Sequence, residues 1–236
     1  MSEVLKPEIV FPKENKESPP GILRIGVDLD ANVDEIDTWV CRLVKRGLGV
    51  DIKKKIEDEG STNFWLDQWE EVRSISHGPN FVRELFKRPF IYEYARPIPG
   101  AIKTLNKWRE QGHQIWFITA RTKGDLYQVT LEWLEKNNLG WAKSKLSMPQ
   151  SLGEDRVNFK NSEAQRLDLH FFIEDHAETV RTVTPSSLVR NLVLEYPWNV
   201  AEDIGSQSAY VKNWQEIDRI VQEASCWHYF LHSTQP

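Results

Sequence analysis

Asp28 and Asp30 are the residues of this chain whose types and spacing best suit chemistry. They follow the apolar run Leu23-Arg24-Ile25-Gly26-Val27 at positions i and i+2. Two carboxylates so placed past a buried strand point the same way, out of its C-terminal edge, where open α/β sheets take their ligands. The pair suits a nucleophile beside an acid/base with a metal ion between them. Spacing alone does not say which is which, and most short acidic pairs in turns and N-caps are only solvated.

Three later segments supply what such a pair would need. Gln114-Ile115-Trp116-Phe117-Ile118-Thr119-Ala120-Arg121 is an apolar strand ending in a hydroxyl residue, with Lys123-Gly124-Asp125 opening a helix. Thr119, with the free N–H of Ala120 beside it, makes a small anion cradle, although a strand-end Thr also caps locally. Lys160 follows Val157-Asn158-Phe159 and precedes a helical stretch from Ser162 to Leu167; alone it would be an ordinary surface lysine, with Lys143 and Lys145 as rivals. Leu169-His170-Phe171-Phe172-Ile173-Glu174-Asp175 is a third strand closing in carboxylates. In a parallel sheet these ends converge on one crevice.

Together with Arg96-Pro97-Ile98-Pro99-Gly100-Ala101 before a helix and the late Tyr196-Pro197-Trp198-Asn199, this order of motifs resembles the haloacid dehalogenase superfamily of phosphohydrolases. Within it the chain is similar to the 5'-nucleotidase and 5'(3')-deoxyribonucleotidase family, over most of residues 22 to 222. The resemblance implies that Asp28 attacks phosphorus to form an aspartyl-phosphate and that Asp30 serves as acid, then base. It implies that Thr119, Ala120 and Lys160 hold the phosphate oxygens. Mg²⁺ would be held by Asp28, the main-chain carbonyl of Asp30 and Asp175, with Glu174 as a further carboxylate near the metal. The chain departs from the family at Ala31-Asn32-Val33, where Gly and then Thr or Val are usual, and at Glu174, where Asp is usual.

The elements that must position these residues alternate between strand and helix. Helices are expected from Pro99 to Gln111, Gly124 to Asn137 and Trp214 to Ala224, and strands at Gln114 to Thr119, Ser144 to Met148 and Asn191 to Tyr196. That pattern predicts an α/β fold, a Rossmann-like parallel sheet flanked by helices. The interval after the first strand carries apolar residues at helical spacing and reads as a small helical cap. The expected division is a tail at 1–20, a core of 21–32 and 98–236, and the cap at 33–97. Trp39, Phe64, Trp65 and Trp69 in the cap could stack on a nucleobase, though for any one of them a place in the cap core is the commoner role. His176 reads as a helix cap rather than a ligand. His228 and His232 lack further ligands at zinc spacing.

Composition sets the outer limits. With 236 residues the chain can bury a substantial core. Thirty Lys and Arg against thirty-five Asp and Glu give a net charge of −5, so no polymeric nucleic acid is expected as a partner. Only Cys41 and Cys226 are present, and no apolar run reaches the roughly 20 residues of a membrane span. The expectation is a cytoplasmic, Mg²⁺-dependent phosphatase, with a homodimer as the assembly carried along, acting on nucleoside monophosphates. A phosphatase for another small phosphomonoester and a non-catalytic binding protein on the same fold are the alternatives.

Overall fold

The sheet is built from short, apolar strands that are buried on both faces, as strands covered by helices on either side must be. In the computed structural model, residues 21–51, 70–151, 155–182, 189–196, 199–200 and 202–233 are described, with side chains to residue 227. The expected tail at 1–20 and the cap aromatics Phe64, Trp65 and Trp69 lie outside these residues. So do the side chains of His228 and His232.

Among the described residues six strands run parallel: β1 (Arg24–Val27), β2 (Gln114–Ile118), β3 (Leu146–Ser147), β4 (Phe171–Glu174), β5 (Arg190–Leu194) and β6 (Ser208–Val211), in the order β3-β2-β1-β4-β5-β6. The register places Val27 level with Phe117 on one side and Ile173 on the other. The residues just past β1, β2 and β4 therefore emerge at one edge. Gly26 is required by packing here: a Cβ would sit 2.4 Å from Leu169 Cδ1, and Phe172 and Ile118 crowd the same space.

One face of the sheet is covered by the helices Ala101–Glu110 and Trp214–Ser233, whose Trp108 and Trp214 rings meet at 5.7 Å in a core with Leu105, Ile217 and Val221. Burying each such ring removes some 150–250 Å² from water, which makes this pair a main source of hydrophobic stabilisation. The other face packs Ile118, Leu169 and Phe172 against Ala164 of the helix Arg156–Arg166.

Between β1 and Pro97 the chain forms α1 (Ile36–Leu48) and the short helices Glu70–Arg73, Gly78–Leu85 and Pro89–Glu93. Their apolar residues, Ile36, Val40, Val44, Val82, Leu85 and Ile91, make a second core that also takes in Leu126, Val129 and Met148. Where this region leaves and rejoins the sheet the two segments are stitched together: Glu35 N donates to Arg96 O at 2.7 Å, Ile98 N donates to Val33 O at 2.8 Å, and Asp34 bridges Pro97.

Two local expectations are corrected, and one strand is additional. Lys160 does not precede a helix but lies inside one, Arg156–Arg166. That helix is started by Asp155, whose side chain accepts from Val157 N and Asn158 N, an N-cap that satisfies two otherwise unpaired donors. The strand expected at Ser144 to Met148 is only Leu146–Ser147, because Gly140–Lys145 winds as a 3₁₀ turn. Strand β6, followed by the last helix, was not expected.

Candidate active site

Asp28 extends the ladder one step past β1, its N–H donating to Ile173 O at 3.0 Å, and it is buried to 3 % exposure. Oδ2 lies 3.1 Å from the Lys160 ammonium, while Oδ1 is buried without a hydrogen-bond partner. Burial pushes this carboxyl well above the ordinary range; Lys160 opposes the shift, and the charges of Glu174 and Asp30 add to it.

Lys160 reaches the site from the helix Arg156–Arg166 and also binds Glu174 Oε2 at 2.7 Å. Burial works against its positive charge, yet Asp28 and Glu174 outweigh burial and hold the ammonium charged. Glu174 is fully used: its second oxygen accepts from Asp175 N at 3.1 Å and His176 N at 3.2 Å. A carboxylate so engaged shapes the loop and holds the lysine. The rivals are elsewhere: Lys143 pairs with Glu135, and Lys145 lies over the Trp116 ring.

Asp175 is held at the edge by Asn199, whose Nδ2 donates to the Asp175 carbonyl at 2.8 Å. Its carboxyl is pushed well up, first by burial and then by Glu174 and Asp28. Oxygens of Asp28, Glu174 and Asp175 lie within 4.8 Å of one another, a hard donor set of the kind that Mg²⁺ takes. Asp28 Oδ1, buried and without a hydrogen-bond partner, leaves that carboxylate able to take a further contact while Oδ2 faces the cluster.

Asp30 goes a different way. Strand β1 ends at Val27, the turn that follows holds Ala31 at φ +59°, and the two carboxylates take different cations, Lys160 for Asp28 and Arg121 for Asp30. Asp30 Oδ1 accepts from Arg121 Nη2 at 2.5 Å and Nε at 3.0 Å. The same Nη2 reaches Asp34 Oδ2 at 2.5 Å, and the guanidinium lies 4.6 Å over the Tyr92 ring. Arg121 is buried, and Asp30 and Asp34 keep it charged against the cost of desolvation. Burial pushes Asp34 up to about 7 in spite of Arg121. Thr119 is fully buried, donates its N–H to Ser147 O and accepts from Arg121 N at 3.3 Å, which places Ala120 in the loop between them.

Trp39 packs against the second core with its indole N–H buried and unpaired. Residues that sequence reasoning gave no role also face the site. Asn32 touches Asp28, Asp30 and Asp175. Asp37, in the first turn of α1, is buried, and its carboxyl is pushed well up by burial and by Asp30, Asp34 and Asp28. Tyr196 donates to Ala31 O. The departure at Ala31-Asn32 was the one signal that could have drawn attention to this turn.

No family model matches the chain. A candidate nucleotidase of Oceanobacillus iheyensis is 24% identical over 227 residues, covering 90% of this chain and 99% of that protein. A predicted phosphoglycolate phosphatase from Haemophilus somnus superposes with a TM-score of 0.58 at 16% identity, covering 86% of this chain and 99% of that structure. A haloacid dehalogenase family hydrolase from Deinococcus radiodurans, with bound phosphate and sodium, gives a TM-score of 0.57 at 16% identity, covering 87% and 97%. The fold of this chain is that of the haloacid dehalogenase-like phosphatases.

Proposed function

We propose that the protein is a Mg²⁺-dependent phosphomonoesterase that works through an aspartyl-phosphate and acts on nucleoside monophosphates, ribo or deoxyribo. The observation that carries this reading is the state of Asp28: one oxygen held by the buried Lys160, the other buried and unpaired at the edge of the sheet. A nucleophile needs one fixed orientation and one free lone pair.

In this reading Asp28 attacks phosphorus and the ester oxygen departs with a proton from Asp30. Asp30 then takes a proton from the water that opens the acyl phosphate. Thr119, the Ala120 N–H and Lys160 bind the non-bridging oxygens and offset their charge. Asp28, the Asp30 carbonyl and Asp175, with Glu174 behind them, would hold Mg²⁺. Bound there, the cation neutralises phosphate charge so that an anionic nucleophile can approach. The described helices between β1 and Pro97 would serve as a cap that limits water and positions the leaving group.

The nucleotide preference is supported by the near full-length likeness to the candidate nucleotidase. The solved structures of similar fold include a predicted phosphoglycolate phosphatase, which favours a small non-nucleotide ester as the second reading. Phosphate release from nucleoside monophosphates and from sugar and carboxylic-acid phosphates, with Mg²⁺ or EDTA, separates the two. Asp28→Asn should abolish release while the circular dichroism spectrum stays unchanged; Mg²⁺-dependent turnover in that variant sinks the mechanism.

A further inference from the structure

We propose that the Asn32 side chain is a built-in occupant of the cation site: its amide nitrogen stands where a metal would, and must swing away before a metal is held. The inference rests on the metal reading above. Asn32 Nδ2 lies 3.0 Å from the Asp30 carbonyl oxygen, 3.0 Å from Asp175 Oδ1 and 3.4 Å from Asp28 Oδ2. Two carboxylates and a main-chain carbonyl can only accept, so the chemistry of the neighbours fixes which end of the amide faces them. Three hard oxygens converging on one point form a partial coordination shell for a divalent cation, whose bonds to oxygen run to about 2.0–2.1 Å for Mg²⁺. An NH₂ group at hydrogen-bond distance from all three cannot share that point with an ion.

The other half of the amide is poorly served. Asn32 Oδ1 is buried with no partner, so the side chain is held by its donor end alone. The main chain beneath it is fixed, because Trp214 Nε1 donates to Asn32 O at 2.7 Å and Asn32 N donates to Leu29 O at 3.3 Å. Rotation about the side-chain bonds is therefore the movement available. A neutral amide donates to both carboxylates without cancelling the charge of either. Asn32 thus keeps the metal-free site assembled and weakens its grip on the ion.

Calorimetric titration of MgCl₂ into the wild type, Asn32→Ala and Asn32→Val tests this. The variants should bind Mg²⁺ about tenfold more tightly, the effect of about one hydrogen bond no longer broken on binding. In EDTA they should melt below the wild type, and Mg²⁺ should raise their Tm by more. Unchanged affinity in both variants overturns the inference and leaves the phosphatase reading standing. Weaker affinity in both also overturns it, by making Asn32 a ligand through Oδ1. Mg²⁺ binding to none of the three proteins overturns the metal reading together with the inference. Should the variants fail to fold in EDTA, the wild type still decides: the Asn32 side-chain amide NMR signal should shift on adding Mg²⁺, and an unmoved signal at saturation overturns the proposal.

Discussion

The hydroxyl of Tyr196 donates to the main-chain oxygen of Ala31 at 2.5 Å, tying the segment after β5 to the turn that follows Asp28 and Asp30. That turn places a non-glycine residue at φ +59°, in the left-handed region where a Cβ costs roughly 1–2 kcal/mol. Ala31→Gly should relieve the strain and, after the extra chain entropy of glycine, stabilise the protein by about 0.5 kcal/mol. Ala31→Val should destabilise it. Urea unfolding measures both, and a loss of stability in Ala31→Gly would mean that the Tyr196 bond holds the turn without strain.

Arg121 is the cation that Asp30 and Asp34 share, and it lies over Tyr92 from the segment between β1 and Pro97. Removing it strands a buried carboxylate, an effect of about 3–5 kcal/mol. Arg121→Met should therefore lower the urea midpoint sharply. It should also cut kcat by about tenfold or more, because Asp30 loses the group that orients it. Loss of stability with kcat intact would separate Arg121 from the chemistry.

Lys160 has two duties that a double substitution can divide. Lys160→Met leaves Asp28 and Glu174 facing each other unpaired and should cost about 3 kcal/mol. Adding Glu174→Gln removes one of the two charges and should restore part of that stability. It should not restore phosphate affinity, measured as competitive inhibition by inorganic phosphate. Recovery of both would make the lysine purely structural.

At the opposite edge of the sheet, His113 Nδ1 accepts the N–H of Leu23 at 3.2 Å, which requires the neutral ring. Burial lowers its pKa, with Asp218 opposing and Lys107 adding. The unfolded chain therefore binds the proton more readily, and stability should fall as pH drops through the ordinary histidine range near 6.5. His113→Asn, with an amide oxygen to accept from Leu23, should show a shallower loss of stability between about pH 7 and 5 by urea unfolding. An unchanged slope would place the acid sensitivity elsewhere.

Much of the sheet was readable because buried parallel strands are continuous apolar runs that end abruptly in polar residues, as at Val27-Asp28 and Ile118-Thr119. Strand β6 was hidden: Ser208–Val211 is a half-buried edge strand with one fully buried residue, so its period carries little signal. The helix holding Lys160 was misplaced because its face is mostly polar, although Asp155 ahead of Val157 and Asn158 was a legible cap. Arg121 stood in a quoted motif, yet its partners lie 87 and 91 positions away, a distance across which local pattern says nothing. Asn32 was noticed as a departure, but what it touches depends on Asp175, brought beside it only by the pairing of β1 with β4.

The turn at Ala31-Asn32 is also a matter of timing. Its main-chain oxygens are gripped by Tyr196 and Trp214, which are 165 and 182 positions further along the chain. A ribosome works from the N-terminus and would release Asp28 and Asp30 long before either clamp exists. The acidic turn is thus closed by residues synthesised long after it, and a chain interrupted before Trp214 would carry both carboxylates without the geometry to use them.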